Sequence, residues 1–230
     1  MSRVLLPGPP PVEITLKRSA RARRFSLRVS RLDGRVTLTL PQFAREAEAL
    51  AFARDKTDWL VAALARLAPV QPLAFGAALP FEGREVTLTP GAVRGPRLEG
   101  GALILPPDPA TLGPRVEAFL KQAARARLVA ASDRFAAALG RPYRRLTLRD
   151  TRSRWGSCAA DGSLMYSWRL VMAPPAVLDY VAAHEVAHLA EMNHSPAFWA
   201  VVERLLPGHA PQRAWLRAHG AGLHAIRLRD

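Results

Sequence analysis

Residues that can bind and use a metal ion occur together in one short segment, His184-Glu185-Val186-Ala187-His188, which has the pattern H-E-x-x-H. Residues four apart in a helix lie on the same face, so the two imidazoles can bind one ion. Glu185 is one position further along, where its carboxylate would contact a water on the metal instead of the metal itself. Neutral histidines, an open coordination position and a carboxylate base are what a hydrolytic zinc site needs. The pattern therefore predicts such a site.

The residues around this pattern predict a buried helix. Between Val177 and Ala190 most of the other residues are apolar, and a helix that is apolar on nearly every face is buried. Two histidines and a glutamate inside it would be costly without partners. A metal ion would satisfy all three. The alternative is a set of core side chains with ordinary hydrogen bonds.

His194 is the predicted third ligand of the metal. We expect the helix to end near Met192-Asn193, because asparagine tolerates the left-handed conformation that closes helices. A new helix would begin at Ser195, which can cap it, with Pro196 in the first helical position. His194 would then lie in a tight corner from which the chain folds back towards His184 and His188. Glu191 and Glu203 are the alternative third ligands, and Glu191 could instead orient a ligand through a hydrogen bond.

Other side chains near the pattern are candidates for binding substrate. An arginine could stabilise an oxyanion or bind a carboxylate or phosphate, and the candidates are Arg152, Arg154 and Arg169. Trp155 could shape the cleft beside the metal, although packing in a tight turn explains a Trp-Gly pair equally well. The remaining histidines are predicted to be surface or packing residues, with His209 also able to reach the site from a loop: His209, His219 and His224.

The first part of the chain reads as a sheet with one helix. Residues 12–16, 25–29 and 36–40 alternate apolar and polar side chains, as half-buried strands do. Asp33-Gly34 predicts a hairpin turn between the last two strands, and residues 42–67 predict a helix with an apolar stripe. The segments 86–88, 97–98 and 102–105 predict short strands. The prolines of residues 106–109 predict a boundary, which gives a β-rich part over residues 1–107 and a catalytic domain over residues 108–230.

In the second part, a long helix is predicted over residues 113–139 and strands over residues 143–148 and 164–170. The second strand leads directly to the helix that carries H-E-x-x-H. A strand edge would then lie beside the metal, where it could hold an extended peptide by main-chain pairing. The predicted fold class is α+β, with the H-E-x-x-H helix beside a short sheet.

Composition places further bounds on function. The formal net charge is +14, which could attract nucleic acid, nucleotides or an acidic partner. The arginines are spread along the chain, however, so solvation of the surface is the favoured interpretation. The single Cys158 excludes an internal disulfide framework. Because no signal peptide and no membrane-spanning run of about 20 apolar residues is evident, a cytoplasmic location is expected.

Taken together, the motifs resemble those of the YgjP-like zinc metallopeptidases, which are relatives of the SprT-like proteases and of the wider zincin group. The resemblance is most specific over residues 143–215, and its motifs are RWGSC (Arg154 to Cys158), SWRLVMAPP, the H-E-x-x-H helix and NHSPAFW. It implies a zincin-like catalytic domain, zinc bound by His184, His188 and His194, and Glu185 as general base. The ligand spacing equals that of the metzincins, but Glu191 stands where those have glycine, and no Met-turn is evident.

The sequence therefore predicts a zinc-dependent peptidase in which Glu185 takes a proton from water and delivers it to the leaving amine. Two alternatives remain open. One is metal-dependent hydrolysis of a nucleotide or another phosphoanhydride, helped by nearby arginines, although no glycine-rich phosphate loop is present. The other is a basic nucleic-acid-binding protein with a structural zinc, which would bind DNA with a steep dependence on salt.

Overall fold

A computed structural model describes residues 2–8, 11–30, 34–65 and 71–228 of the chain. Over these residues the protein has the predicted α+β class, with short sheets and six α-helices. It divides into two compact units, Met1–Pro69 and Val70–Asp230. Of the helices in these described stretches, none combines the length and the apolar character that crossing a bilayer requires.

The first unit contains a four-stranded sheet, and the three strands predicted from alternation are all present. Alternate residues of its two central, parallel strands are buried, as in Ile14 and Leu38. A further edge strand that the sequence did not predict pairs antiparallel to the first of these. The predicted hairpin is confirmed by antiparallel pairing of Val29 with Val36, but Asp33 of its turn lies outside the described residues. In spatial order the strands are β1 (Ser2–Leu6), β2 (Val12–Ser19), β4 (Val36–Pro41) and β3 (Ser26–Val29).

The helix predicted over residues 42–67 is two shorter helices, α1 (Glu46–Arg54) and α2 (Thr57–Ala65). The hydroxyl of Thr57 donates a hydrogen bond to the carbonyl oxygen of Arg54 over 2.7 Å. It thereby satisfies a carbonyl that the end of α1 leaves without a helical partner, which closes the helix there. The predicted apolar stripe begins at Phe43, and this part of it is wrong, because Phe43 precedes α1 and is 93% exposed.

The second unit begins with the short strand β5 (Gln71–Pro72), which pairs parallel to a strand near its end, β13 (Ile226–Arg227). Another four-stranded sheet follows and packs against the long helix α3 (Pro109–Leu139). Asp108 caps α3 by accepting a hydrogen bond from the amide of Ala110, and Gly140 ends it with φ of 74°. The sheet and α3 share one apolar core, to which Leu88 and Leu103 contribute with side chains that are fully buried. In spatial order its strands are β6 (Ala78–Phe81), β7 (Arg84–Pro90), β9 (Ala102–Leu105) and β8 (Arg97–Glu99).

This shared core corrects the predicted domain boundary. The sequence predicts a boundary at 107/108, on the prolines before α3, whereas the boundary between the compact units falls between Pro69 and Val70. Strands β6 to β9 belong with α3 because their inward side chains, such as Leu88 and Leu103, share its core. Prolines 106 and 107 directly precede Asp108, the residue that caps α3, and do not separate the two units.

The rest of the second unit surrounds a three-stranded sheet. The strand predicted over residues 164–170 ends at Ser167 and continues as a 3₁₀ helix, Trp168–Met172. All five residues of that helix are buried, so the alternation that a half-buried strand requires is lost. The spatial order is β10 (Arg145–Arg149), β12 (Ser163–Ser167) and β11 (Gly156–Cys158). The helices that follow are α4 (Pro175–Ala187), α5 (Pro196–Leu205), α6 (Ala210–His219) and the 3₁₀ helix Gly220–His224.

Candidate metal centre

Helix α4 carries the H-E-x-x-H pattern and is buried on nearly all sides, as predicted. Its end differs from the prediction, since α4 stops at Ala187 and not near Met192-Asn193. The chain then turns more tightly, with the amide of Leu189 bonded to the carbonyl of Val186 over 2.9 Å. His188, the residue that ends α4, stabilises this turn because its Nδ1 lies 2.9 Å from the carbonyl oxygen of Glu191. The early end brings the chain back towards α4 sooner than a longer helix would.

Three histidines meet at this turn and form the histidine cluster: His184, His188 and His194. Their ligating nitrogens all lie within 4.8 Å of one another, and Nε2 of His184 is 3.1 Å from Nε2 of His194. Zinc bound tetrahedrally at Zn–N distances of about 2.0–2.1 Å holds its nitrogens roughly 3.3–3.4 Å apart. The spacing of the two nitrogens is therefore close to what one shared ion imposes.

The start of α5 places His194. The hydroxyl of Ser195 accepts a hydrogen bond from the amide of Phe198, and Pro196 occupies the first helical turn, as the sequence predicts. Phe198 is fully buried, and its ring contacts those of all three histidines at centroid distances of 4.4 to 4.9 Å. The cap and this apolar anchor fix the corner from which His194 faces α4.

The chemistry of these nitrogens fits a zinc ion. Burial lowers the pKa of His184 to about 3, with the neighbouring histidines adding to the effect, and burial also lowers the pKa of His188. Both rings are therefore kept neutral, which is the form that binds metals. Because Nδ1 of His188 is held by the carbonyl of Glu191, its Nε2 carries the free lone pair. Nδ1 of His184 is buried without a hydrogen-bond partner in the described structure.

Neither alternative ligand joins the histidine cluster. Glu191 contributes its main-chain carbonyl to His188, so it orients a ligand as the sequence allowed, but not through its carboxylate. The carboxylate of Glu203 accepts hydrogen bonds from the amide of Gly208 and from Nδ1 of His209, each over 2.9 Å.

Glu185 is held tightly against β11. Its side chain is 6% exposed, and burial raises its pKa to about 8, although the charge of Arg154 and a hydrogen bond from the amide of Cys158 oppose the rise. A Cβ on Gly156 would lie 2.5 Å from Cγ and 2.6 Å from Oε1 of Glu185. Glycine at position 156 is therefore what lets the carboxylate approach the strand. This contact could not be predicted from the sequence, because only the fold shows that RWGSC faces α4.

The other predicted substrate-binding residues differ in their surroundings. Arg154 is exposed, and its charge acts on Glu185. Trp155 packs its ring against that of His224, with centroids 5.0 Å apart, which favours the packing interpretation.

Arg169 is only 8% exposed and has a structural role instead of the predicted substrate-binding one. Its guanidinium donates to both carboxylate oxygens of Asp150, over 2.7 and 3.1 Å, and to the main-chain oxygens of Leu223 and Ile226. It thereby fastens the 3₁₀ helix after β12 to the last segment of the second unit.

Several further residues, not predicted from the sequence to be at the site, lie around the histidine cluster. The rings of Tyr180 and Trp199 lie 6.0 and 5.7 Å from that of His184. Arg213 stacks its guanidinium on Trp199 at 4.4 Å. Tyr180 could have been found from the sequence, since it is four residues before His184 and so shares its helix face. The others depend on how α5 and α6 pack.

Comparison with known proteins identifies the family of this chain. No curated protein matches the chain significantly. A crystal structure of the metallopeptidase zymogen abylysin from Pyrococcus abyssi is similar over 42% of this chain and 92% of that one, with 21% identity and a TM-score of 0.34. The family model for the YgjP-like metallopeptidase domain matches residues 23–219. The chain therefore belongs to the YgjP-like family, whose domain is described as a metallopeptidase domain.

Proposed function

We propose that the protein is a zinc-dependent peptidase in which His184, His188 and His194 hold the metal and Glu185 is the general base. The observation that carries this proposal is the histidine cluster on α4 and the following turn, with a buried glutamate next to His184 in the chain. Bound zinc would polarise a carbonyl group and lower the pKa of a water molecule.

Glu185 supplies the proton transfer. Its side chain is nearly buried and lies next to His184 in the chain, and a bound metal ion would favour the ionised carboxylate that accepts a proton. Its carboxylate takes a proton from the attacking water and later gives it to the leaving amine. The amide of Cys158 and the close approach at Gly156 hold the carboxylate in one position, so the proton is transferred from a fixed site.

Strand β11 supports an extended peptide as the substrate. It is an edge strand of its sheet in the described structure. Its neighbour β12 pairs with one side, while the amide of Cys158 points to the other side, where it meets Glu185. The edge of β11 that points away from β12 therefore faces the general base. An extended peptide paired with this edge would lie next to the reacting groups.

The two alternatives predicted from the sequence have less support from the site. Nucleotide hydrolysis would use arginines beside the strand pair, and Arg169 is occupied by Asp150 and by main-chain carbonyls. A structural zinc would not require a buried carboxylate such as Glu185 beside the ligands. A peptide substrate uses both the general base and the strand edge.

The test is the metal content and the hydrolytic activity of the untagged protein, purified without chelators. We expect about one zinc per chain, cleavage of unstructured peptides, and no comparable cleavage of nucleoside triphosphates. The Glu185→Gln variant should keep its zinc and lose activity, whereas His194→Ala should lose zinc. Cleavage of nucleotides but not peptides would reject the peptidase, and full activity of Glu185→Gln would reject the general base.

A further inference from the structure

A histidine outside the histidine cluster is held in one orientation beside it. His209 directly precedes α6 and follows a turn in which Gly208 has φ of 69°. The carboxylate of Glu203 spans this turn, with Oε1 accepting the amide of Gly208 and Oε2 lying 2.9 Å from Nδ1 of His209. One carboxylate thus fixes both the backbone that carries the imidazole and the imidazole itself.

Two aromatic rings set the plane of this imidazole. It stacks on Tyr180 with a centroid distance of 5.6 Å and an interplanar angle of 3°, and on Trp199 with 5.9 Å and 7°. Trp199 and Glu203 are four residues apart on α5, so the same helix face supplies the stacking ring and the carboxylate. The side chain of His209 is 12% exposed. The ring is therefore held in both position and orientation.

The same two aromatic rings contact the proposed metal ligand His184, so His209 is one side chain away from the histidine cluster. Glu185 is held separately, against Gly156 of β11.

The hydrogen bonding of His209 leaves one ring nitrogen for a ligand. Nδ1 is engaged by Glu203, while Nε2 forms no hydrogen bond within the described part of the chain. When the ring carries a proton on each nitrogen, Nδ1 donates to Glu203 and Nε2 can donate to a ligand. Such a ring is a preorganised donor for negative charge that develops on a substrate.

We propose that His209 is a catalytic residue which donates a hydrogen bond from Nε2 to the substrate carbonyl oxygen as that oxygen becomes negative. Glu203 is its positioning residue. This inference rests on the proposed peptidase function and assigns the oxyanion-stabilising role that the arginines were candidates for. A ring that only filled space between Tyr180 and Trp199 would not need a carboxylate on Nδ1.

The first test is the His209→Phe variant, which keeps a flat ring between Tyr180 and Trp199 but has no N–H. Removal of one oxyanion donor costs about 10²- to 10³-fold in kcat, so we expect a fall of about 100-fold, with little change in KM, zinc content or melting temperature. His209→Tyr, which restores a donor on a ring, should recover part of the loss. Glu203→Gln should reduce kcat by roughly tenfold, as removal of an orienting partner does.

The matched control is His219→Phe. His219 is the last residue of α6, the helix that His209 precedes; it stacks on Trp215 with centroids 5.0 Å apart and is exposed. Its replacement makes the same change in composition away from the histidine cluster and should leave kcat unchanged. A His209→Phe protein with the control's kcat would overturn the inference, and so would one that lost its zinc or its stability, because His209 would then be structural.

A second readout does not depend on turnover. In a Glu185→Gln background, calorimetry would compare a phosphonate peptide analogue, which mimics the oxyanion, with the unmodified peptide of the same sequence. We expect His209→Phe to weaken phosphonate binding by about 100-fold and to leave peptide binding nearly unchanged. Equal weakening of both ligands would overturn the inference. A wild-type protein that cleaves no peptide would reject the proposed function itself, and this inference with it.

Discussion

Gly156→Ala is the substitution that most directly tests how the site is assembled. The added Cβ would lie 2.5 Å from Cγ, 2.6 Å from Oε1 and 2.8 Å from Cδ of Glu185. Carbon atoms in ordinary contact are about 3.5–4.0 Å apart. The carboxylate must therefore move away from β11, or β11 away from α4, by roughly 1 Å.

A displacement of this size acts mainly on catalysis. Misplacement of a reacting group by 1 Å can cost about 100-fold in rate, which corresponds to about 2.7 kcal/mol of activation free energy. The atoms nearest to the added Cβ all belong to Glu185 and none to the histidine cluster. Zinc binding should therefore be retained. The free energy of unfolding should fall by about 1–3 kcal/mol, the usual cost of overpacking.

The assay is kcat for a cleaved peptide, measured beside zinc content and thermal unfolding. Gly95→Ala is the matched control, because a Cβ there has no atom within 4 Å and the substitution is chemically identical. We expect the control to behave as wild type. A Gly156→Ala protein with full zinc and wild-type kcat would refute the argument that β11 positions Glu185.

Three further predictions concern stability. Asp150→Asn should cost about 1–2 kcal/mol near neutral pH, because it removes the carboxylate that pairs with the nearly buried Arg169. Burial would raise the pKa of Asp150, but the hydrogen bond and charge of Arg169 lower it overall. The contribution of Asp150 to the free energy of unfolding is thus complete above its unfolded pKa of about 3.9 and is lost as the pH falls through its lower folded pKa. The difference in melting temperature between variant and wild type should therefore shrink in acid. A difference that grew in acid would contradict this assignment. Ser195→Ala should cost about 1 kcal/mol by removing the cap of α5, and in denaturant melts no loss would show that the cap is unimportant. Gly83→Ala should destabilise the second unit, because φ is +75° and a Cβ would lie 2.8 Å from Cα of Pro174, and an unchanged melting temperature would contradict that prediction.

The histidines could be predicted from the sequence because their geometry is local. His184 and His188 share a helix face by spacing alone, and Ser195-Pro196 marks the start of the helix that His194 directly precedes. The end of α4 was predicted too late because it depends on a side chain reaching a backbone carbonyl, His188 to Glu191. No pattern of apolar residues encodes that bond.

The rest of the site depends on contacts between segments distant in sequence. Gly156 and Glu185 are 29 positions apart and meet only when β11 packs beside α4. His209 is predicted as a surface or packing residue that could also reach the site from a loop, but its stacking is not predicted because Tyr180 and Trp199 come from two other helices. Arg169 is a candidate because arginine can bind an oxyanion, a carboxylate or a phosphate, and its partner Asp150 was not identified from the sequence. The predicted domain boundary was wrong for a related reason. The prolines between β9 and α3 do not indicate that the side chains of β7, β9 and α3 share one core.

The contact of Glu185 with the outward edge of β11 also limits how a substrate peptide can pair with that edge. The outward amide of Cys158 is already bonded to Glu185, so the ladder of main-chain hydrogen bonds is interrupted there. Strand β11 has only three residues, which leaves few outward groups, each worth about 0.5–1.5 kcal/mol in net terms. Main-chain pairing of this length gives a low affinity for a peptide and little specificity for its sequence. We therefore expect selection to favour chain segments that are already extended and unstructured, since the edge cannot supply the free energy needed to unfold a stable domain.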